Sequence, residues 1–177
     1  NVTLIFSPSN YRQVAQAYIE GLEKLARKGA DLSKTVALAS VFVSRIDTTV
    51  DKRLQELIQQ ESDSSRKKDL ESLLGKAAVA NSKVIYQMYR ERFSAADFKA
   101  LEKKGAHRQR VLWGSTSTKN PAYSDVKYVD ELIGKGTINT IPPETWKAFL
   151  DHGTVKDTAG QGLDEAREVL AKLAKIG

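Results

Sequence analysis

The sequence contains no cysteine. That excludes a disulfide framework and any thiolate metal site, and it fits a reducing compartment, so a cytoplasmic protein is expected. The two histidines, His107 and His152, are far apart in segments expected at the surface, and no metal-ligand spacing arises. No apolar run approaches the roughly 20 residues of a membrane span, so no membrane association is expected. No signal-peptide pattern is visible, although residues preceding Asn1 would hide one. The glycines form neither GxGxxG nor GxxxxGK[ST], which removes support for the nucleotide-binding α/β folds. There is no Ser-His-Asp pattern, and no paired carboxylates stand at strand ends, because most Asp and Glu fall on helical stretches.

What is present is ordinary in amount. A chain of 177 residues with 41% hydrophobic and 28% charged side chains can build one domain with a sizeable core. The net charge of +6 raises the question of nucleic acid. The basic residues, however, are spread along helices and mixed with acids, as in Arg66-Lys67-Lys68-Asp69 and Lys172 to Lys175. No RNP, zinc-finger or basic-region pattern accompanies them, so solvated helix faces are the better account and nucleic acid is not expected as a partner. A positive field also suits a small phosphate-bearing substrate.

Strand and helix patterns alternate along the chain. Residues 2–6 read as a strand, and Ser7-Pro8 starts a helix with Val14, Ala17, Tyr18, Leu22 and Leu25 on one face, ending near Gly29. Residues 36–43 form a nearly continuous apolar strand, as in a parallel sheet covered on both faces. Asp47 reads as the cap of a short helix carrying Val50, Leu54, Leu57 and Ile58, and 59–68 as a polar excursion. One long helix is expected from Leu70 to about Phe93, and a short one over 95–104. Residues 110–115 form the third strand, 116–124 a polar loop, and Asp125 a cap for the next helix. Residues 137–141 form the fourth strand, ended by Pro142-Pro143, and a last helix begins near Gly162.

Four such units imply parallel strands with helices outside, in either a doubly wound sheet or roughly half of a (β/α)8 barrel with generous insertions. A chain that opens in a strand and closes at a helix-ending glycine is expected to be an internal piece of a larger repeating βα protein. In these folds the chemistry lies at the C-terminal ends of the strands. That selects Thr3 and Ser7; Ser40, Phe42, Ser44 and Arg45; Ser115 to Asn120; and Asn139 and Thr140. Asn1 shares a strand face with Thr3, although a frayed terminus is the plainer account of it. Arg45 can grip phosphate with parallel N–H bonds, or form an ion pair with Asp47 or Asp51. Hydroxyls, loop amides and Lys119 after the third strand also suit phosphate. The residues themselves supply a phosphate-friendly rim without an evident acid, base or nucleophile.

At the same strand ends the chain resembles transaldolase. Asn1-Val2-Thr3-Leu4-Ile5-Phe6-Ser7 is similar to the fifth barrel strand of that family. Ser40-Val41-Phe42-Val43-Ser44-Arg45-Ile46-Asp47 resembles its sixth-strand motif. The run Leu112 to Asp125 resembles the seventh-strand segment of one bacterial subgroup, and Thr137 to Pro143 resembles the eighth strand. The resemblance implies that residues 1–177 are the C-terminal half of a TIM barrel, a single partial domain. It implies a pentose phosphate pathway enzyme that moves a dihydroxyacetone unit between sugar phosphates through a Schiff-base lysine, with no cofactor or metal. The lysine, and the Asp and Glu that handle protons, belong to strands preceding Asn1, so this chain alone is expected to be inactive. The resemblance makes Thr3 the holder of a catalytic water and Asn1 a contact to the dihydroxyacetone unit. Ser40, Phe42 and Ser115 line the donor pocket, Arg45 binds phosphate, and Lys119 is the candidate second phosphate cation. The expected partners are sugar phosphates and an N-terminal half. The alternative is an inactive half-barrel that self-associates or complements such a half.

Overall fold

The computed structural model describes residues 1–176. Strands β1 (Val2–Ile5), β2 (Leu38–Phe42), β3 (Arg110–Gly114) and β4 (Ile138–Asn139) alternate with helices. Helix α1 (Pro8–Arg27) follows β1. Helices α2 (Ser44–Gln60), α3 (Ser64–Glu71), α4 (Ala77–Arg92) and α5 (Ala96–Glu102) fill the passage from β2 to β3. Helix α6 (Lys127–Asp130) precedes β4, and α7 (Pro143–His152) and α8 (Leu163–Ile176) follow it. Every pairing is parallel and the strands lie in the order β1-β2-β3-β4. A doubly wound sheet reverses direction at a switch point, whereas a barrel adds each strand beside the last. The sequential order therefore selects the barrel, and the chain forms a partial (β/α)8 barrel of four βα units.

Register and burial assign the two faces of the sheet. Ala39, Val41, Val111 and Trp113 are fully enclosed against the helices. Leu38, Ser40, Phe42 and Leu112 alternate with them on the opposite, half-buried face. Strand β1 carries a bulge. Val2 is level with Ala39 and Ile5 with Val41, so three steps on β1 match two on β2. Leu4 takes up the extra length with φ +61. The bulge turns Ile5 into the core and leaves Phe6 facing Phe42, with ring centroids 5.6 Å apart.

Local signals explain the helices. In α1, Ser7 Oγ accepts the Asn10 N–H at 3.1 Å and Pro8 opens the first turn. The buried stripe is Tyr11, Ala15, Ile19 and Leu22, one position round from the expected face, and Ala17 is exposed. Gly29 at φ +70 closes the helix, with the Ala30 N–H reaching Leu25 O at 3.1 Å. The long helix expected from Leu70 is broken. Gly75, at φ +70, separates α3 from α4. Helix α4 is buried on most sides, against α1, α2, α8 and β3, and its first turns carry small residues, Ala77, Ala78 and Ala80. Trp113 anchors the core, with its indole N–H donated to Leu132 O at 2.9 Å.

Two expected caps do different work. Asp47 lies inside the first turn of α2, not at its start, and accepts the Ala78 N–H at 2.7 Å, so it caps α4 instead. Asp125 makes no cap to α6; it faces His152 Nε2 at 2.8 Å. The excursion over 59–68 is largely helical, because α2 runs to Gln60 and α3 starts at Ser64 behind an Asp63 cap. The second strand begins at Leu38, with Val36 left 71% exposed, and the fourth is only two residues long.

Candidate functional site at the strand ends

The C-terminal ends of β2 and β3 are tied together beyond the last ladder pair. Val43 N donates to Gly114 O at 2.9 Å and Ser44 N to Ser115 O at 3.0 Å. The hydroxyls of Ser44 and Ser115 meet at 3.0 Å. Ser115 holds φ +56, a left-handed conformation that costs a non-glycine residue about 1–2 kcal/mol. Such strain persists where surrounding contacts fix it, and it gathers at functional sites. Here it turns the chain out of β3 and opens the 116–124 loop directly against the first turn of α2.

Arg45 stands in that first turn. It is exposed and forms no ion pair with Asp47 or Asp51; its guanidinium lies 4.9 Å from the centroid of the Phe42 ring. Phe6, Phe42 and Arg45 therefore form a contiguous series at the rim, the two rings tilted by 38° and the guanidinium over Phe42. The neighbour of Phe42 on β3 is Gly114, and a Cβ added there would meet the ring at 3.8 Å, an ordinary contact. Ser40 lies two residues deeper on the same face as Phe42. Thr3, next to Val2 on the bulged strand, shares that face and is level with Ser40.

Not every candidate reaches the rim. Asn1 precedes β1 and is level with Leu38, at the end of β2 opposite Arg45. Lys119 is exposed and donates to Ser117 Oγ at 2.8 Å within its own loop. It lines a cleft of about 170 Å³ with Thr48, Asp51 and Lys52 of α2, so it flanks the helix that carries Arg45. Thr116 is buried and donates to Asn139 Oδ1 at 2.8 Å, joining the ends of β3 and β4. Thr140 Oγ1 donates to Trp113 O at 3.0 Å, a structural bond. His107 and His152 are exposed and apart from this rim. Among the described residues, no three His, Asp or Glu side chains gather closely enough to hold a metal ion.

Sequence reasoning missed Phe6 as the partner of Phe42, and it missed the contacts that Asp47 and Asp51 make. The i, i+4 spacing of those aspartates beside the apolar Val50 and Leu54 was a readable sign that both carboxylates turn inward.

The chain matches the family model described as transaldolase/fructose-6-phosphate aldolase over residues 1–177. It is 49% identical over 173 residues to a transaldolase of Trichodesmium erythraeum, covering 98% of this chain and 46% of that protein. It is 47% identical over 177 residues to a transaldolase of Thiobacillus denitrificans, covering 100% of this chain and 47% of the relative. Against transaldolase 1 of Streptomyces avermitilis the identity is 45% over 178 residues, covering 100% and 45%. The chain thus spans just under half the length of these curated relatives. A match of this extent, on a sheet whose strands follow one another as barrel strands do, places the chain in the transaldolase/fructose-6-phosphate aldolase family.

Proposed function

We propose that these residues form the C-terminal half of a transaldolase barrel and supply its phosphate-binding rim and part of its donor pocket. The reaction is transfer of a dihydroxyacetone unit from sedoheptulose 7-phosphate to glyceraldehyde 3-phosphate, giving erythrose 4-phosphate and fructose 6-phosphate. The observation that carries this reading is Arg45, stacked on Phe42 at the mouth of α2 beside the Ser44–Ser115 pair. A guanidinium held against an aromatic face keeps its N–H groups free for a phosphate approaching over the rim.

The roles follow from depth. Arg45 takes the sugar phosphate at the mouth, with Lys119 as a second, point-like cation from the neighbouring loop. Phe42 and Ser40, deeper on the same face, line the pocket for the donor carbons, and Ser115 lines it from β3. Thr3, level with Ser40, holds the water through which protons move, and Asn1 contacts the dihydroxyacetone unit from below. The lysine whose amine adds to the donor carbonyl lies outside these residues. The amine expels water to form an imine, carbon–carbon cleavage then releases the aldose and leaves an enamine, and addition of the enamine to the acceptor aldehyde followed by hydrolysis restores the amine.

A second reading has its own support. Apart from Val36 and Val155, the exposed large apolar side chains fall in two groups at the ends of the strand order: Val2 and Leu4 on β1 with Phe6 just after it, and Trp146 and Leu150 on α7, which follows β4. Those are the edges a second half-barrel would cover, so the isolated chain pairs with itself or with an N-terminal half. Sedimentation of the 177-residue chain across micromolar concentrations should show association, and a lone monomer at every concentration refutes this second reading.

The enzymatic reading is tested in a chimaera in which this chain replaces the segment it matches in the Trichodesmium erythraeum transaldolase. The expected result is transaldolase activity, trapped by borohydride with fructose 6-phosphate. Arg45→Ala should raise the KM for fructose 6-phosphate about 10- to 100-fold, the scale of a hydrogen bond to a charged group. A folded but inactive chimaera, or an Arg45→Ala variant with unchanged KM, refutes the reading.

A further inference from the structure

One buried polar cluster has no part in the rim described above. Asp47 and Asp51, one turn apart on α2, are 2% and 6% exposed. Aspartates are seldom so enclosed unless paired. Asp47 Oδ2 accepts the Tyr128 hydroxyl at 2.8 Å and faces Lys127 Nζ at 3.5 Å, while its Oδ1 holds the Ala78 N–H. Asp51 Oδ2 accepts the Tyr123 hydroxyl at 2.7 Å, and its Oδ1 accepts the Gly75 N–H at 2.8 Å. The Lys127 ammonium also donates to Gly75 O and lies 4.0 Å from the centroid of the Tyr123 ring. Burial, reinforced by the neighbouring carboxylates, pushes both phenols well above the ordinary tyrosine range, so each remains a protonated donor at neutral pH.

The cluster joins two unlike partners. On one side is the start of α4, which is fixed in the core. On the other is the far end of the loop that leaves β3 at Ser115. That loop is therefore fastened to α2 twice: at its start by Ser44 and Ser115, and at its end by Tyr123 and Tyr128. Lys119 lies between the two fastenings, braced by Thr118 Oγ1 on Ser124 O at 2.8 Å and by Asn120 Oδ1 on the Ala122 N–H at 2.9 Å. Arg45 stands two residues before Asp47 and six before Asp51, in the first turn of the helix that receives both fastenings.

We infer that Tyr123 and Tyr128 are positioning residues whose hydroxyls, held by Asp51 and Asp47, lock the β3–α6 loop onto α2 so that Lys119 and Arg45 act as one preformed clamp for a sugar phosphate. The inference rests on the transaldolase reading of the same rim. Two cations on separate elements bind weakly if one element must be ordered at each encounter, and a preformed pair avoids that loss. The predicted signature is selective for phosphate and leaves the chemistry at the donor carbons alone.

The test uses the Trichodesmium chimaera carrying Tyr123→Phe or Tyr128→Phe, with Arg45→Ala as reference. Each phenylalanine variant should raise the KM for fructose 6-phosphate and the inhibition constant of inorganic phosphate by a common factor of about 5 to 20, the weakening expected when one ordered contact is lost. Its kcat, and its slow turnover of unphosphorylated fructose, should stay within about twofold, since the reacting carbons lie elsewhere. If Arg45→Ala raises KM while neither tyrosine variant does, the positioning role is overturned and the rim assignment stands. If a tyrosine variant slows fructose and fructose 6-phosphate alike, the role is merely structural and the inference is overturned. If Arg45→Ala changes nothing, the rim assignment fails and takes the clamp with it. Hydrogen exchange on the 177-residue chain gives an independent readout: Tyr123→Phe should speed exchange of loop amides 116–124 at least about tenfold while β3 stays protected. Unchanged exchange overturns the fastening itself.

Discussion

Asp47→Ala strips one buried carboxylate of the Ala78 N–H at 2.7 Å, the Tyr128 hydroxyl at 2.8 Å and the Lys127 ammonium at 3.5 Å. Loss of a helix cap costs about 1 kcal/mol. A phenol left buried without an acceptor costs about 1–3 kcal/mol. Lys127 keeps the Gly75 carbonyl and the Tyr123 ring, so its share is the smallest, about 1 kcal/mol or less. Together these give about 2–5 kcal/mol, overlapping the range for breaking a buried pair from one side. That is a large part of the roughly 5–15 kcal/mol that holds a domain together. The assay is urea unfolding of the 177-residue chain, followed through the fluorescence of Trp113, which is fully buried where Trp146 is 47% exposed. With a slope of about 2 kcal/mol per molar, the midpoint should fall by about 1–2.5 M. Asp47→Asn keeps one oxygen for the Ala78 N–H but sets an NH2 donor against the Tyr128 hydroxyl, and it should lose less than Asp47→Ala. In a double-mutant cycle, Asp47→Ala and Tyr128→Phe should couple by about 0.5–3 kcal/mol. A loss under about 1 kcal/mol for Asp47→Ala, the worth of an exposed ion pair, or strict additivity with Tyr128→Phe, would refute the claim that this carboxylate ties α2, α4 and the β3–α6 loop together.

Two further outcomes follow from the same contacts and from the far end of the sheet. Gly75→Ala should destabilise far more than Gly29→Ala, although both glycines sit at φ +70: a Cβ at Gly75 would lie 2.6 Å from Tyr123 Cζ and 2.8 Å from Lys127 Nζ, whereas nothing lies within 4 Å at Gly29. The strained backbone alone costs about 1–2 kcal/mol, and overpacking adds about 1–3 kcal/mol only at Gly75, so equal urea midpoints for the two variants would contradict the packing described. His152 should titrate above the ordinary value of 6.5, because the Asp125 carboxylate first, and then that of Asp151, favours the imidazolium. A raised value means that any stabilisation from this contact is complete below pH 6.5 and fades as the pH rises through the folded-state value. A proton NMR titration of the His152 ring checks the direction, and Asp125→Asn should bring the value down.

Much of the fold was legible because parallel βα units write themselves in local terms. The apolar run at Leu38 to Phe42, the Ser7-Pro8 helix start and the glycine at 29 are each decided within a few residues. What was misread was decided between elements. The stretch from Leu70 to Phe93 has an unbroken helical pattern, yet it breaks at Gly75, because that turn is where the buried carboxylate of Asp51 receives a backbone N–H from 24 residues away. Asp47 looked like a local cap because cap chemistry is the commonest use of an aspartate before a helical run. It does cap a helix, but the helix is α4, 31 residues further on, and nothing in the spacing of a single segment encodes that partner.

The candidate site divides in the same way. Ser40, Phe42, Arg45 and Ser115 were selected as candidates by one rule, that chemistry sits at the ends of parallel strands, and the structure brings the last three of them to one rim. Asn1 obeys a different logic, since it shares the sheet face but lies at the far end of β2 from Arg45. A rim that binds phosphate and a floor that meets the carbonyl end of the same sugar must be separated by the length of that sugar. Two paired strands rising about 3.3 Å per residue set roughly 13 Å between the level of Leu38 and that of Phe42. An extended six-carbon phosphate ester is shorter than that, so the side chains at both ends must reach toward it. The proposed roles of Asn1 and Arg45 thus make a demand on the sheet: one substrate must be met from its two ends, by the side chain of Asn1 reaching up and by that of Arg45 reaching in.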